Sequence, residues 1–209
     1  SVTDIGTGAF WYCTGLHSFN VAEDNRNYSS PNGLLCNKEQ TILIQCPADM
    51  YESEFSFPNT ITTIGRHAFL GCSHNNITIP NSVTTIEDYA FSYCENLQSI
   101  SIPASVTSIG NCAFGRCSYM QSIDVASGNP NYSSISGVLF NKTQDTLLEY
   151  PGGRRGAYSV PDGVTTIANE AFYFCQNITA ITFPNSITDI GQSAFYYCTS
   201  LVSVTIPDG

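Results

Sequence analysis

Apolar residues recur along this chain in a compound rhythm. From Pro80, Val83 and Ile86 flank two threonines, which predicts a short extended stretch with two inward side chains. Ala90, Phe91 and Cys94 then fit one helical or 3-10 turn, with Ala90 and Cys94 four residues apart on the inner face. Leu97, Ile100 and Ile102 follow, and the intervening Ser99 and Ser101 mark a strand with one buried face. Pro103 cannot donate to a ladder and ends it. The same string runs from Pro161 to Pro184 and from Pro184 to Pro207. A copy from Pro58 is one residue shorter, a copy from Pro103 closes on Ala126, and the chain opens inside another, Val2 to Cys13. A fixed period of 23 residues predicts a β-rich solenoid, since one coil buries little alone and stacked coils share a continuous core.

The predicted strands centre on Asn20, Ser56, Thr78, Ser101, Asp124, Ser159, Thr182 and Thr205, giving about eight coils within one domain spanning residues 1–209. Stacked at ~4.8 Å, they would form a parallel sheet ~40 Å long. Two steps are longer, 36 residues (Asn20 to Ser56) and 35 (Asp124 to Ser159). Both insertions read NxNYSS, then Gly, three apolar residues, Asn-Lys, a polar turn and an apolar run. That predicts two β-hairpins, near 25–47 and 129–151, with strands at Gly33–Cys36 and Thr41–Cys46, and at Gly137–Phe140 and Thr146–Tyr150. The chain starts partway through one repeat and stops at the opening of another, so a longer parent protein is expected.

Composition narrows the partners. Net charge is −10 with only seven Lys and Arg, which leaves no basic patch to track phosphates, so nucleic acid is not an expected partner. No apolar run approaches a bilayer-spanning length, and direct membrane insertion is not expected. Of nine cysteines, Cys13, Cys72, Cys94, Cys117, Cys175 and Cys198 share one column of the repeat. Parallel Cβ vectors suit a disulfide badly, so buried free thiols are expected.

The string IPxSVTxIGxxAFxxCxxLxSIxIP resembles the BspA-like leucine-rich repeat, and SGVLFNKTQDTLLEYP resembles the hairpin variant common among its members. The resemblance implies a leucine-rich-repeat right-handed superhelix with parallel strands on its concave face and the two hairpins inserted. It also implies a surface or secreted protein that binds host proteins or glycans or mediates adhesion, with no catalytic residues and no cofactor.

Two surfaces are candidates for binding. The middle positions of AFxxC hold Trp11, Tyr12, Tyr93, Tyr173, Phe174, Tyr196 and Tyr197, which either stack on a sugar or protein partner or pack across neighbouring coils. The strand face offers Asn20, Thr78, Ser101, Asp124, Thr182 and Thr205, either a recognition surface or merely a solvated one. His67, Cys72 and His74 lie close in sequence, but without paired ligand spacing no metal site is expected. Asp49, Glu52 and Glu54 lack the pattern of a calcium loop. A contiguous aromatic patch would favour recognition; its absence would favour a spacer, or a repeat module attached to another domain. Open terminal coils would allow end-to-end self-association.

Overall fold

The computed structural model describes residues 2–51 and 55–208. The first half contains β1 (Tyr28–Ser29), β2 (Leu35–Asn37), β3 (Ile42–Gln45), β4 (Thr63–Ile64), β5 (Thr85–Ile86), β6 (Ser99–Ile102), β7 (Ser108–Ile109) and β8 (Ser122–Val125). The second contains β9 (Tyr132–Ile135), β10 (Val138–Asn141), β11 (Thr146–Glu149), β12 (Gly156–Ser159), β13 (Thr166–Ile167), β14 (Ile178–Thr182), β15 (Asp189–Ile190) and β16 (Ser203–Thr205). The chain is a β-solenoid whose coils pair strand to strand in parallel, Thr63 with Thr85 and Thr85 with Ser108 on one face, and Ser101 with Asp124 on another.

The AFxxC segment is not helical. Tyr89 and Tyr93 adopt left-handed backbone (φ 56° and 61°), as do the residues at both positions in the other coils, and this stops a helix from propagating. Alternate amides are turned along the stack instead. Tyr89, Phe91 and Tyr93 N–H donate to Asn111, Ala113 and Gly115 carbonyls of the next coil, at 3.1, 2.7 and 3.0 Å. The cysteine column closes each coil: all nine cysteines are free, and Cys94, Cys117 and Cys198 Sγ donate to carbonyls one coil back at 3.1–3.2 Å. Inside runs an aromatic ladder, with Phe69, Phe91 and Phe114 stacked at 4.8 and 5.4 Å, and Tyr150, Phe172 and Phe195 stacked at 4.9 Å each.

The continuous eight-strand sheet expected on the Ser/Thr face does not form. Asn20 and Ser56 lie outside strands; Thr78 joins β6 only through an isolated bridge, and β6 pairs with β8. The ladder then stops, and β12, β14 and β16 form a separate sheet. The insertion explains the break. Each is a three-stranded antiparallel meander rather than a hairpin, because the NYSS motif is itself a strand: β9 pairs with β10, and β10 with β11. Ser136 and Gly137, both left-handed, make the two-residue turn between β9 and β10. That turn is pressed against β8: the Ile123 N–H donates to Gly137 O at 2.8 Å, and a Cβ on Gly137 would meet Ser122 Cβ at 2.6 Å. The first meander repeats the contact through Phe19 N–H and Gly33 O.

The last strand of each meander opens the next parallel stack, β3 beside β4 and β11 beside β13. The three apolar residues of β10 are buried on both faces. Leu139 packs into the core built from residues 34–123, while Val138 and Phe140 belong to the core that continues to Ala194. The meander is thus a partition between two cores. Its NxNYSS leader ties it to the coil before. Asn129 Nδ2 donates to Pro103 and Val106 carbonyls, Asn131 Nδ2 to Thr107 O, and the Tyr132 hydroxyl accepts the Ile109 N–H. The first copy does the same with Asn25, Asn27 and Tyr28 on Val2, Thr3 and Ile5.

Candidate functional site

Left-handed residues decide which side chains reach the surface of the turn region. In each coil the residue before alanine and the residue before the column cysteine have positive φ, so both side chains project away from the stacked phenylalanines. Repeated coil after coil, these positions build two columns with the position after phenylalanine between them.

One column runs Tyr12, Gly71, Tyr93, Arg116, Phe174, Tyr197. Tyr12 meets Tyr93 edge-on at 5.9 Å, across the gap left by Gly71. The Arg116 guanidinium is sandwiched between Tyr93 (4.3 Å) and Phe174 (4.7 Å), a cation–π contact on each face, and Phe174 stacks on Tyr197 at 4.4 Å. Beside it, Tyr173 stacks on Tyr196 at 5.4 Å, and Trp11 lies on His67 at 4.4 Å. His67 in turn stacks on Tyr89 at 5.2 Å. Burial, helped by Arg66, lowers the His67 pKa and favours a neutral ring in that stack.

Tyr89 reaches further. The next residue in its column is the small, buried Cys112, and the Tyr89 hydroxyl passes it to donate to both Glu170 oxygens, at 3.1 and 2.9 Å. Burial and then the Glu170 carboxylate push its pKa up, so it stays a protonated donor.

The seven aromatic residues expected at AFxxC therefore come together as one contiguous stripe. Trp11, Tyr12, Tyr196 and Tyr197 are exposed; Tyr93, Tyr173 and Phe174 are half-buried against their neighbours. Sequence reasoning did not place His67, weighed only as a metal ligand, or Tyr89 and Arg116 in this stripe. The signal for the first two was present, since they share the column just before alanine. Nothing in the pattern marked Arg116, which works through the rings on either side. A shallow cavity lies among Trp11, His67, Leu70, Tyr89, Tyr93 and Tyr173.

The strand-face candidates are all exposed but not assembled together. Thr78, Ser101 and Asp124 lie in one row, and Thr182 beside Thr205 in another, with Asn20 in neither. Asp49 pairs with His17 at 3.6 Å on the surface, while Glu52 and Glu54 fall outside the described residues. Among the described residues, no helix is long and apolar enough to cross a membrane.

Residues 40–152 and 157–209 match the BspA type leucine rich repeat region in six copies. No curated protein sequence matches the chain. A leucine rich cell surface protein from Faecalibacterium prausnitzii is 34% identical with a TM-score of 0.64, over 72% of this chain and 40% of that one. A leucine-rich repeat protein from Eubacterium ventriosum is 25% identical with a TM-score of 0.56, over 69% and 51%. The pneumococcal vaccine antigen PcpA, 18% identical with a TM-score of 0.59 over 91% and 62%, shares the fold. The chain spans only 40% and 51% of the first two of these structures. Repeat, solenoid and meander agree with the six-copy match: the chain belongs to the BspA type leucine-rich-repeat family.

Proposed function

We propose that this chain is a non-enzymatic recognition module, cell-surface or secreted, that binds a protein or glycan ligand, host-derived in the simplest case, through its aromatic stripe. The observation that carries this reading is contiguity. Rings from four coils and the first partial coil, bridged by Arg116 of a fifth, form one surface, and two pairs, Trp11–Tyr12 and Tyr196–Tyr197, remain exposed where a partner can reach them. Tyr and Trp supply large, rigid contact area at low entropic cost, which suits both sugar stacking and protein hot spots. The cell-surface description of the Faecalibacterium protein supports the location. The thiol chemistry supports a non-catalytic reading: burial pushes the Cys94, Cys117 and Cys175 thiols up, away from the thiolate a nucleophile needs.

The test is a screen against extracellular-matrix proteins and a glycan array, with the quadruple variant Trp11→Ala, Tyr12→Ala, Tyr196→Ala, Tyr197→Ala alongside. Binding that disappears in the variant is the expected result. Binding retained there would move the site to the strand face or the meanders.

A spacer role is the second reading, and a specific observation favours it. The Arg116 sandwich and the Tyr89–Glu170 pair lie where the strand ladder is interrupted, so part of the stripe clamps the two stacks together. No binding on either panel would favour that role.

A further inference from the structure

Two adjacent coils each depart from the repeat at one inward position, and both departures are toward metal-binding chemistry. The first is the aromatic rung. Phe69, Phe91, Tyr150 and Phe172 all donate their N–H to the alanine carbonyl of the next coil, at 2.7–2.8 Å, and place a ring in the ladder. Cys46 makes the same bond, to Ala68 O at 2.7 Å, but puts a thiol where its counterpart Tyr150 has a ring.

The second is the slot three residues after the column cysteine, filled by Leu97, Met120 and Ile178, all fully buried. The coil from Pro58 is one residue short, and the deletion falls here. Ile77 and Ile79 align with Ile100 and Ile102, so His74 occupies the leucine slot, 1% exposed. Cys72 is the column cysteine of the same coil. The Cys46 and Cys72 sulfurs and a His74 ring nitrogen all lie within 4.8 Å of one another, and all three residues are buried.

The His74 ring packs against Phe55 at 4.9 Å, but that contact does not call for two sulfurs beside its ring nitrogen. A cysteine and a histidine replace a ring and a leucine in a core that fills these slots with apolar side chains elsewhere, and they do so around a third donor. The two sulfurs hold only long hydrogen bonds of 3.6–3.7 Å to the Cys46 and Pro47 carbonyls, as Cys175 does to Tyr150 O at 3.6 Å, against 3.1–3.2 Å for Cys94 and Cys117. Metal–sulfur and metal–nitrogen bonds of ~2.3 and ~2.0 Å place tetrahedral ligand atoms ~3.5–3.8 Å apart, so side-chain rotations of about an ångström would close the set.

We propose that Cys46, Cys72 and His74 bind one thiophilic d10 cation, zinc(II) or copper(I), between the first meander and the coil that follows it. Two thiolates and an imidazole suit both ions. Binding breaks two S–H bonds, forms two metal–sulfur bonds and one metal–nitrogen bond, and passes two protons to the buffer; no electron is transferred.

The experiment uses the reduced, chelator-stripped chain, titrated with zinc(II) against a competing chromophoric chelator and, anaerobically, with copper(I) against a copper(I)-specific one. Cys46→Tyr and His74→Leu place the residues found at Tyr150 and Leu97, each variant's folding is checked by circular dichroism with His74→Leu the smaller change, and Cys94→Ala serves as control. The parent and the control should take up one equivalent of at least one ion at submicromolar concentration, with two protons released. Each restoring variant should bind at least about 100-fold more weakly, beyond the loss expected from a merely supporting group. Absence of submicromolar binding of either ion, or equal binding in the parent and both restoring variants, would overturn the proposal.

Discussion

Replacing Asn129 by alanine tests how the second meander is held. Its side chain is wholly buried and makes four hydrogen bonds: Nδ2 to Pro103 O (2.9 Å) and Val106 O (2.8 Å), with Oδ1 accepting from Asn131 and Tyr132 N–H (2.9 Å each). At about 1 kcal/mol net for each bond, and with buried partners left unsatisfied, the substitution should cost about 4 kcal/mol. Asn25 stands at the same motif position 104 residues earlier, but it is half-buried and makes three such bonds, the one to Val2 O stretched to 3.2 Å. Water can replace its partners, and Asn25→Ala should cost only about 1 kcal/mol. Asn129→Asp keeps the two acceptor bonds but turns a carboxylate oxygen toward two carbonyls, so it should be at least as damaging as alanine. Urea unfolding followed by circular dichroism, compared at equal m value, measures all three. A loss in Asn129→Ala no larger than in Asn25→Ala would refute the view that the leader is a buried tie rather than a surface turn.

Two further substitutions probe the cores. Glu149 is buried, and its Oε1 accepts the Phe114 N–H at 3.0 Å, standing in for the carbonyl that the interrupted stack cannot supply. Burial is the main reason its pKa rises to about 8, with the Glu170 charge adding to it. A carboxyl raised in the folded state gives its full stability below the unfolded pKa and loses it as pH climbs to 8, a swing of up to about 4 kcal/mol. Glu149→Gln keeps the acceptor without the charge, so it should flatten stability between pH 5 and pH 8; parallel melting-temperature profiles for variant and parent would contradict this. Phe91→Ala removes the central ring of the first ladder, between Phe69 and Phe114, and should cost about 3–5 kcal/mol. The terminal, half-buried Phe195→Ala should cost clearly less, and equal losses by urea unfolding would argue against a stacked core.

Much of the coil was legible in the sequence because its cause is local. Val83, Ile86, Ala90, Phe91, Cys94, Leu97, Ile100 and Ile102 were read as inward residues, and all are buried. The helical turn expected at Ala90–Cys94 was wrong. Inward spacing of four fits a helix and a pair of tight turns equally well, and only the left-handed Tyr89 and Tyr93 distinguish them. NYSS fell outside the predicted hairpin strands because its strand is half-buried and pairs mainly through backbone, which leaves little hydrophobic alternation to detect.

By itself, the sequence determined the period, the inner face of each coil, the cysteine column and the position of the insertions. Each follows from which side chains must leave water, and a repeat states that many times over. Tertiary structure alone decided that the meander is a partition, with Leu139 in one core and Val138 and Phe140 in the other. It also decided that the strand ladder breaks at β8 and that Tyr89 reaches Glu170 over Cys112. It gathered Cys46, from the first meander, with Cys72 and His74 of the following coil. These outcomes depend on which coil lies against which, and on the space a small residue leaves for a distant one. Hydrophobic periodicity fixes the direction in which a side chain points, but only the stacking of coils fixes what it meets there.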